Sequence, residues 1–254
     1  MQRYFATNKN DESFILDQSD IHHINRVMRM KTNDKIEVVY NNELYACHVI
    51  INKDNTNIII DNKIATSENN NKIINLIIPL LKEQKMDLII QKSTELGVNE
   101  IIPLVMKRSI VDISKKEDKK IERWQRISKE ASEQSMRLDM PKISDVKKIS
   151  DLKDLDGLKI VCSTSEKVNN IKTFLQNNSN YDKITVVVGP EGGLTEDEEN
   201  DLVDIGFTRV TLGSRIMRVE TVPIFILSIL NYENMEWYNE QFIGKVIGIS
   251  WKII

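Results

Sequence analysis

Long apolar runs are missing from this chain of 254 residues. No stretch approaches the roughly 18–20 apolar residues that a membrane-spanning helix needs. The opening MQRYFATNKN carries no apolar core of the kind a secretory signal has. Cysteine is scarce: only Cys47 and Cys162 occur, far apart, each in an apolar strand-like run without metal-ligand spacing. Two buried thiols fit a reducing cytoplasm. The His22-His23 pair has no carboxylate or cysteine cluster beside it, and neighbouring helix positions do not share a face, so no metal site is expected. Neither a Gly-x-x-x-x-Gly-Lys-Ser/Thr loop nor a Gly-x-Gly-x-x-Gly fingerprint is present. An excess of positive charge is also absent. The formal net charge is −3 and the sequence pI about 5.8, so no global basic field announces nucleic acid and charge has to be read locally.

What the chain does have is one dense stretch, residues 184–221. Ile184–Val188 is a β-branched run that predicts a buried strand. It breaks at Gly189-Pro190-Glu191-Gly192-Gly193, where helix and sheet are both disfavoured. Thr195 opens a helix, with Glu198 placed for a capping box. Leu202, Val203 and Ile205 form its apolar stripe, and Gly206 stops it. Phe207–Leu212 predicts the next strand. Gly213 begins a second loop, GSRIMRVET, which ends where Pro223 fits the first turn of a last apolar helix. GPEGG alone is as readily an ordinary tight turn. Two such loops at the carboxyl ends of neighbouring parallel strands would instead lie where open α/β sheets bind ligands.

The flanking chain divides in two. Residues 1–64 predict short strands, with an Asn41-Asn42 hairpin turn and one helix over Asp20–Met30 capped by Ser19 or Asp20. That spacing suggests a small barrel or sandwich. The polar run ATSENNNK, residues 65–72, reads as a linker. Beyond it, Ile73–Leu81 predicts a strand, Lys82–Leu96 a helix closed by Gly97, and Ile101–Val105 another strand. Lys107–Lys129 holds nine Lys/Arg against four Asp/Glu, a local excess of five. Trp124 within it is expected in the core. Ser163-Thr164-Ser165-Glu166 follows the strand Lys159–Cys162 as a third loop. The last helix, VPIFILSIL, is apolar nearly all round, which asks for a second partner besides the sheet. Nothing accounts for the tail beyond Tyr232.

VGPEGGLTEDEE followed by LGSRIMRVETVP resembles the SPOUT-class RNA methyltransferases, and within them the small-subunit ribosomal RNA uridine-N3 methyltransferases. HHINRVMRMKTND is similar to that family's N-terminal pattern through His23, Val27, Met28, Arg29 and Asp34, with Asn33 at a position the family fills with Gly. TELGV and the set Glu130, Ala131, Ser132, Gln134 and Arg137 match further segments, as does the opening Met1–Phe5. Met217 stands for the usual Leu and Val222 for the usual Ala. The resemblance implies a PUA-like RNA-binding β-barrel, residues 1–68, followed by an α/β domain, residues 72–254, with the tail after about 235 unassigned. It implies a deep C-terminal trefoil knot, against the general rule that chains do not thread their own loops. It also implies a cytoplasmic homodimer acting on ribosomal RNA within the small ribosomal subunit.

S-adenosyl-L-methionine would be held in a bent form, mostly by backbone at Val188, Gly189, Gly193, Leu212, Gly213, Ile216 and Met217. The cofactor carries an activated methyl group, so the protein supplies orientation and electrostatics. Uracil N3 must lose its proton and the resulting negative charge must be stabilised. Arg218 suits that stabilisation, with Arg215 as a lesser partner. Glu220 suits proton acceptance if a low-polarity site raises its pKa; it would equally fix Arg218 or cap the final helix with Thr221. RNA contacts are expected from Arg3, Arg29, Lys119, Lys120, Arg123, Arg126 and Arg137. Two other readings are a SPOUT ribose 2′-O methyltransferase, disfavoured because RIMRVETVP replaces that group's Ser-Leu-Asn-Val-Ser, and a non-catalytic RNA-binding relative.

Overall fold

The computed structural model describes residues 1–52, 55–66, 72–109 and 117–234. The first unit contains β1 (Gln2–Phe5), β2 (Asn8–Lys9), β3 (Ser13–Ile15), α1 (Gln18–His22), β4 (Lys35–Tyr40), β5 (Glu43–Ile51) and β6 (Thr56–Thr66). These strands make one sheet in the order β1-β4-β5-β6-β3-β2, with β1 parallel to β4 and the other pairs antiparallel. Asn41 and Asn42, at φ 50° and 60°, turn the β4–β5 hairpin, since Asn tolerates the left-handed region better than most residues. The β5–β6 register slips at Leu44/Tyr45 and Ala46/Cys47. Such slips bend a sheet over its core, here Tyr4, Phe14, Ile24, Ile36, Val38, Cys47, Val49 and Ile58. The expected helix differs in detail. Its cap is Asp17, which accepts from the Asp20 amide, and α1 passes into a π-helical turn over His23–Val27.

The second unit holds β7 (Ile73–Pro79), α2 (Glu83–Glu95), β8 (Glu100–Leu104), α3 (Glu117–Gln134), β9 (Lys142–Ile143), β10 (Leu158–Cys162), α4 (Ile171–Asn177), β11 (Lys183–Val188), α5 (Glu196–Asp204), β12 (Thr208–Val210) and α6 (Thr221–Asn234). Its six strands are all parallel in the order β12-β10-β11-β7-β8-β9. Both faces are covered, so strand residues of either parity are apolar. Leu76, Ile78, Val186 and Val188 pack with α2, α3, α4 and α6 through residues such as Ile89, Trp124, Phe174 and Ile226. Ile77 and Val187 point the other way, onto Leu202 of α5. Trp124 is in the core as expected. Val203, expected on the buried stripe of α5, is 38% exposed, while Leu202 and, in part, Ile205 pack onto the sheet.

A charged seam joins the two units. The Lys129 ammonium on α3 lies 2.6 Å from Asp20, pairs with Asp17, and is 3.9 Å from Glu133. Three carboxylates thus surround one cation. Burial, then Asp20, pushes Glu133 up to about 8 despite Lys129. Burial also pulls Asp17 upward, but hydrogen bonds from Lys129, Ser19 and the Asp20 amide outweigh it and hold Asp17 at about 2. Arg3, expected at the RNA surface, is instead buried in this seam. It pairs with Glu37 at 2.6 Å and donates to the carbonyls of Met136 and Arg137.

The raised Glu133 binds its proton more tightly folded than unfolded. Its contribution to stability is therefore whole below about 4.5 and is lost as pH rises through about 8. In thermal unfolding scans, Glu133→Gln should exceed the wild type at pH 8–9 by roughly 1–3 kcal/mol and converge with it near pH 5. Parallel pH dependences would remove Glu133 from the seam's electrostatics.

Candidate functional site

All six parallel strands of the second unit end at one edge, and the loops that follow them gather there. The two glycine-marked loops do not follow neighbouring strands as expected. β10 lies between β11 and β12, which brings the Ser163–Glu166 loop between them. Three loops therefore share the edge.

The start of α5 holds this edge. Thr195 and Glu198 form the expected capping box, with the Thr195 amide donating to Glu198 Oε2 at 2.9 Å. Glu198 and Glu199 are both buried. A buried carboxylate needs donors, and each finds them on a different loop. Glu198 Oε1 accepts from the Lys107 amide, after β8, at 2.6 Å. Glu199 accepts from Ser163 Oγ at 2.8 Å and Ser165 Oγ at 3.0 Å, after β10, and from Arg209 Nε on β12 at 2.9 Å. Arg108 reaches from the β8 loop to the Gly192 carbonyl at 2.7 Å. Lys85, in the first turn of α2, pairs with Glu191 of the GPEGG loop and lies 3.2 Å from Glu220 Oε2. Sequence reasoning missed Lys85, Arg108 and Glu199 as site residues. Their types are ordinary on charged surfaces, and the only local signal was the Glu198-Glu199 doublet directly after a cap.

The residues expected to hold a cofactor all lie on this edge. Val188 is buried at the end of β11. A Cβ on Gly189 would meet Leu194 at 3.2 Å, so the loop is closed tightly. Gly193 has φ +70° and Gly213 φ +120°, conformations that favour glycine. Space around Gly213 is open. Leu212 and Met217 are half-buried, while Ile216 and Val168, on facing loops, are each 86% exposed. Exposed apolar side chains beside free loop backbone suit a flat, partly apolar ligand with polar edges.

Arg218 is exposed, and its carbonyl accepts from the Thr221 and Val222 amides to start α6. Arg215 is exposed as well. Glu220 departs from expectation. Its own amide, then Lys85 and Arg218, hold its carboxyl below the usual range against a partial burial that would raise it. It is a poorer proton acceptor than an ordinary glutamate.

The expected RNA contacts are dispersed. Arg29 is exposed at φ 51° beyond the π-helical turn, and Lys119 and Arg126 are exposed on α3, with Lys120 half-buried. Arg123 is engaged by Glu83 and Asp87 of α2. Arg137, like Arg3, is turned inward, donating to the Thr94 carbonyl at 2.7 Å and pairing with Asp139 at 2.8 Å.

A family model described as an RNA methyltransferase domain matches residues 67–231, and one described as an RNA methyltransferase PUA domain matches residues 16–61. The chain is 36% identical over 250 residues to Ribosomal RNA small subunit methyltransferase E of Bacillus subtilis, covering 92% of this chain and 97% of that protein. It is 33% identical to the protein of the same name from Mesomycoplasma hyopneumoniae, covering 90% and 98%. A crystal structure of the Neisseria gonorrhoeae Ribosomal RNA small subunit methyltransferase E, bound to S-adenosyl methionine, is similar at TM-score 0.81 and 28% identity, covering 91% of this chain and 97% of that one.

Glu199→Ala should lower unfolding free energy by about 2 kcal/mol, because it strands Arg209 and two serines. Glu196→Ala, at an exposed position of the same turn, should cost no more than about 0.5 kcal/mol. Equal effects in denaturant titrations would deny Glu199 its organising part.

Proposed function

The chain belongs to the Ribosomal RNA small subunit methyltransferase E family, and on that premise we propose that it transfers a methyl group from S-adenosyl-L-methionine to N3 of a specific uridine in 16S ribosomal RNA. The observation that carries the proposal is the convergence of three loops at one edge of the parallel sheet, where Glu199 fastens the loop after β10 and the strand β12 to the start of α5, and Glu198 fastens the loop after β8. The fit of the cofactor rests on the left-handed glycines, the open space at Gly213 and the uncovered Ile216. Backbone at Val188, Gly189, Gly193, Leu212, Gly213, Ile216 and Met217 holds it. When bound, S-adenosyl-L-methionine supplies a methyl group already activated on a sulfonium.

The protein's part is to orient the uracil and stabilise the charge left when N3 loses its proton. Arg218 does the second, because a fixed guanidinium beside the base oxygens favours the anionic ring. Glu220, whose carboxyl is held below the usual range, is a weaker base for the N3 proton than an ordinary glutamate, so the step leans on Arg218. Arg29, Lys119, Lys120 and Arg126 contact the RNA backbone, and the first unit acts as an RNA-binding module. The knot belongs to the same reading. So does a homodimer, supported by α6: Pro223, Ile226, Leu227 and Leu230 face the core, while Phe225 is 38% and Tyr232 73% exposed. A cytoplasmic location belongs to the same proposal; separately, no helix among the described residues is long and apolar enough to cross a membrane.

Small ribosomal subunits lacking the modification, incubated with the protein and labelled S-adenosyl-L-methionine, should yield N3-methyluridine on nucleoside mass spectrometry. Labelled 2′-O-methyluridine would overturn the base-methylation reading. Arg218→Ala should lower turnover about 100-fold while leaving S-adenosylhomocysteine affinity within roughly threefold.

A further inference from the structure

The GPEGG loop and the loop before α6 follow β11 and β12, which are separated by β10. Strand pairing therefore cannot hold one against the other. Among the described residues, the side chain that reaches both is Lys85. It sits in the first turn of α2, on the chain that leaves β7, next to β11. Its ammonium pairs with Glu191 at the centre of the first loop and lies 3.2 Å from Glu220 at the end of the second. Glu220 is mostly buried, its side chain 17% exposed, and its Oε2 has no other partner among the described residues. Glu191 is more open, at 43%.

We propose that Lys85 is a positioning residue for the methyl-transfer reaction, an ionic latch that holds the two cofactor loops at the spacing the cofactor requires. The inference rests on the proposed cofactor site. The chemistry is that of one cation shared by two anions. With the ammonium in place, the two carboxylates draw their loops together. Without it, they repel across a partly desolvated gap, where screening by water is weaker than at an open surface. The latch bears on cofactor affinity and not on the transfer step, because Lys85 is held by carboxylates and faces no reacting atom. Lys85 adds to the Glu220 amide in keeping that carboxylate ionised, and its charge is the second half of the latch.

The test is calorimetric titration with S-adenosylhomocysteine, together with steady-state methylation of small ribosomal subunits, on the full chain. Lys85→Met should weaken S-adenosylhomocysteine binding about tenfold and raise KM for S-adenosyl-L-methionine by a similar factor, with kcat at saturation changed less than twofold. Lys85→Arg should bind within about threefold of wild type, since a longer cation still spans the pair. Adding Glu191→Gln to Lys85→Met should recover part of the lost affinity by removing the repulsion. Circular dichroism and melting temperature establish that each variant is folded. Wild-type protein that binds no S-adenosylhomocysteine would defeat the proposed cofactor site itself. A wild type that binds, beside a folded Lys85→Met that binds equally well, overturns the latch. So does a weakened Lys85→Met that neither the arginine nor the Glu191→Gln change rescues, because that pattern is general damage and not a lost ion pair.

Discussion

Two adjacent buried carboxylates, Glu198 and Glu199, hold the functional edge of this protein together. A desolvated carboxylate left without donors is costly, so each forces a nearby segment into a fixed position. Glu198 takes the Lys107 amide and the cap of its own helix; Glu199 takes Ser163, Ser165 and Arg209. The loops after β8 and β10, together with β12, are thereby referred to one rigid turn of α5. The GPEGG loop runs directly into that turn and is held from its other side by Arg108. Loops of this polarity would otherwise be the most mobile part of the unit. Preorganising them through one helix start places backbone N–H and C=O groups for a ligand before it arrives.

Charge is used differently where the two units meet. At the edge, carboxylates outnumbered by donors fix loops. In the seam, Lys129 is outnumbered by Asp17, Asp20 and Glu133, and burial, with the surplus charge added, leaves a Glu133 that keeps its proton up to about 8. Arg3 locks the same seam by binding carbonyls at the end of α3. The local basic excess of Lys107–Lys129 shrinks accordingly. Among the described residues, Lys107 pairs with Asp197, Arg108 binds the Gly192 carbonyl, Arg123 is neutralised by α2 and Lys129 lies in the seam, which leaves Lys119, Lys120 and Arg126 facing outward or nearly so. A net charge of −3 is thus compatible with a restricted cationic face.

Features set by a few consecutive residues were legible in the sequence. The capping box at Thr195, the left-handed Gly206, the Asn41-Asn42 turn and the strand before GPEGG all stand where local chemistry puts them. Features set by distant pairing were not. Nothing in the sequence shows that β10 inserts between β11 and β12, since the central strands β7, β8 and β11 are apolar on both faces and burial alone does not order them. The seven-residue α4 was missed because its apolar stripe is too short to show a period. Arg3 and Arg137 look like surface cations by type; the docking of the two units buries Arg3, and contacts with Thr94 and Asp139 within the second unit turn Arg137 inward. The tail beyond Asn234, for which the sequence offered no account, lies outside the described residues.

The most direct test of the central claim is amide hydrogen exchange on the full chain with and without S-adenosylhomocysteine. Added ligand should slow exchange together in peptides covering residues 163–170, 189–195 and 211–220, with the β-rich first unit unchanged. Protection confined to one of those loops, or found elsewhere while all three exchange as before, would contradict a site built where the three loops converge.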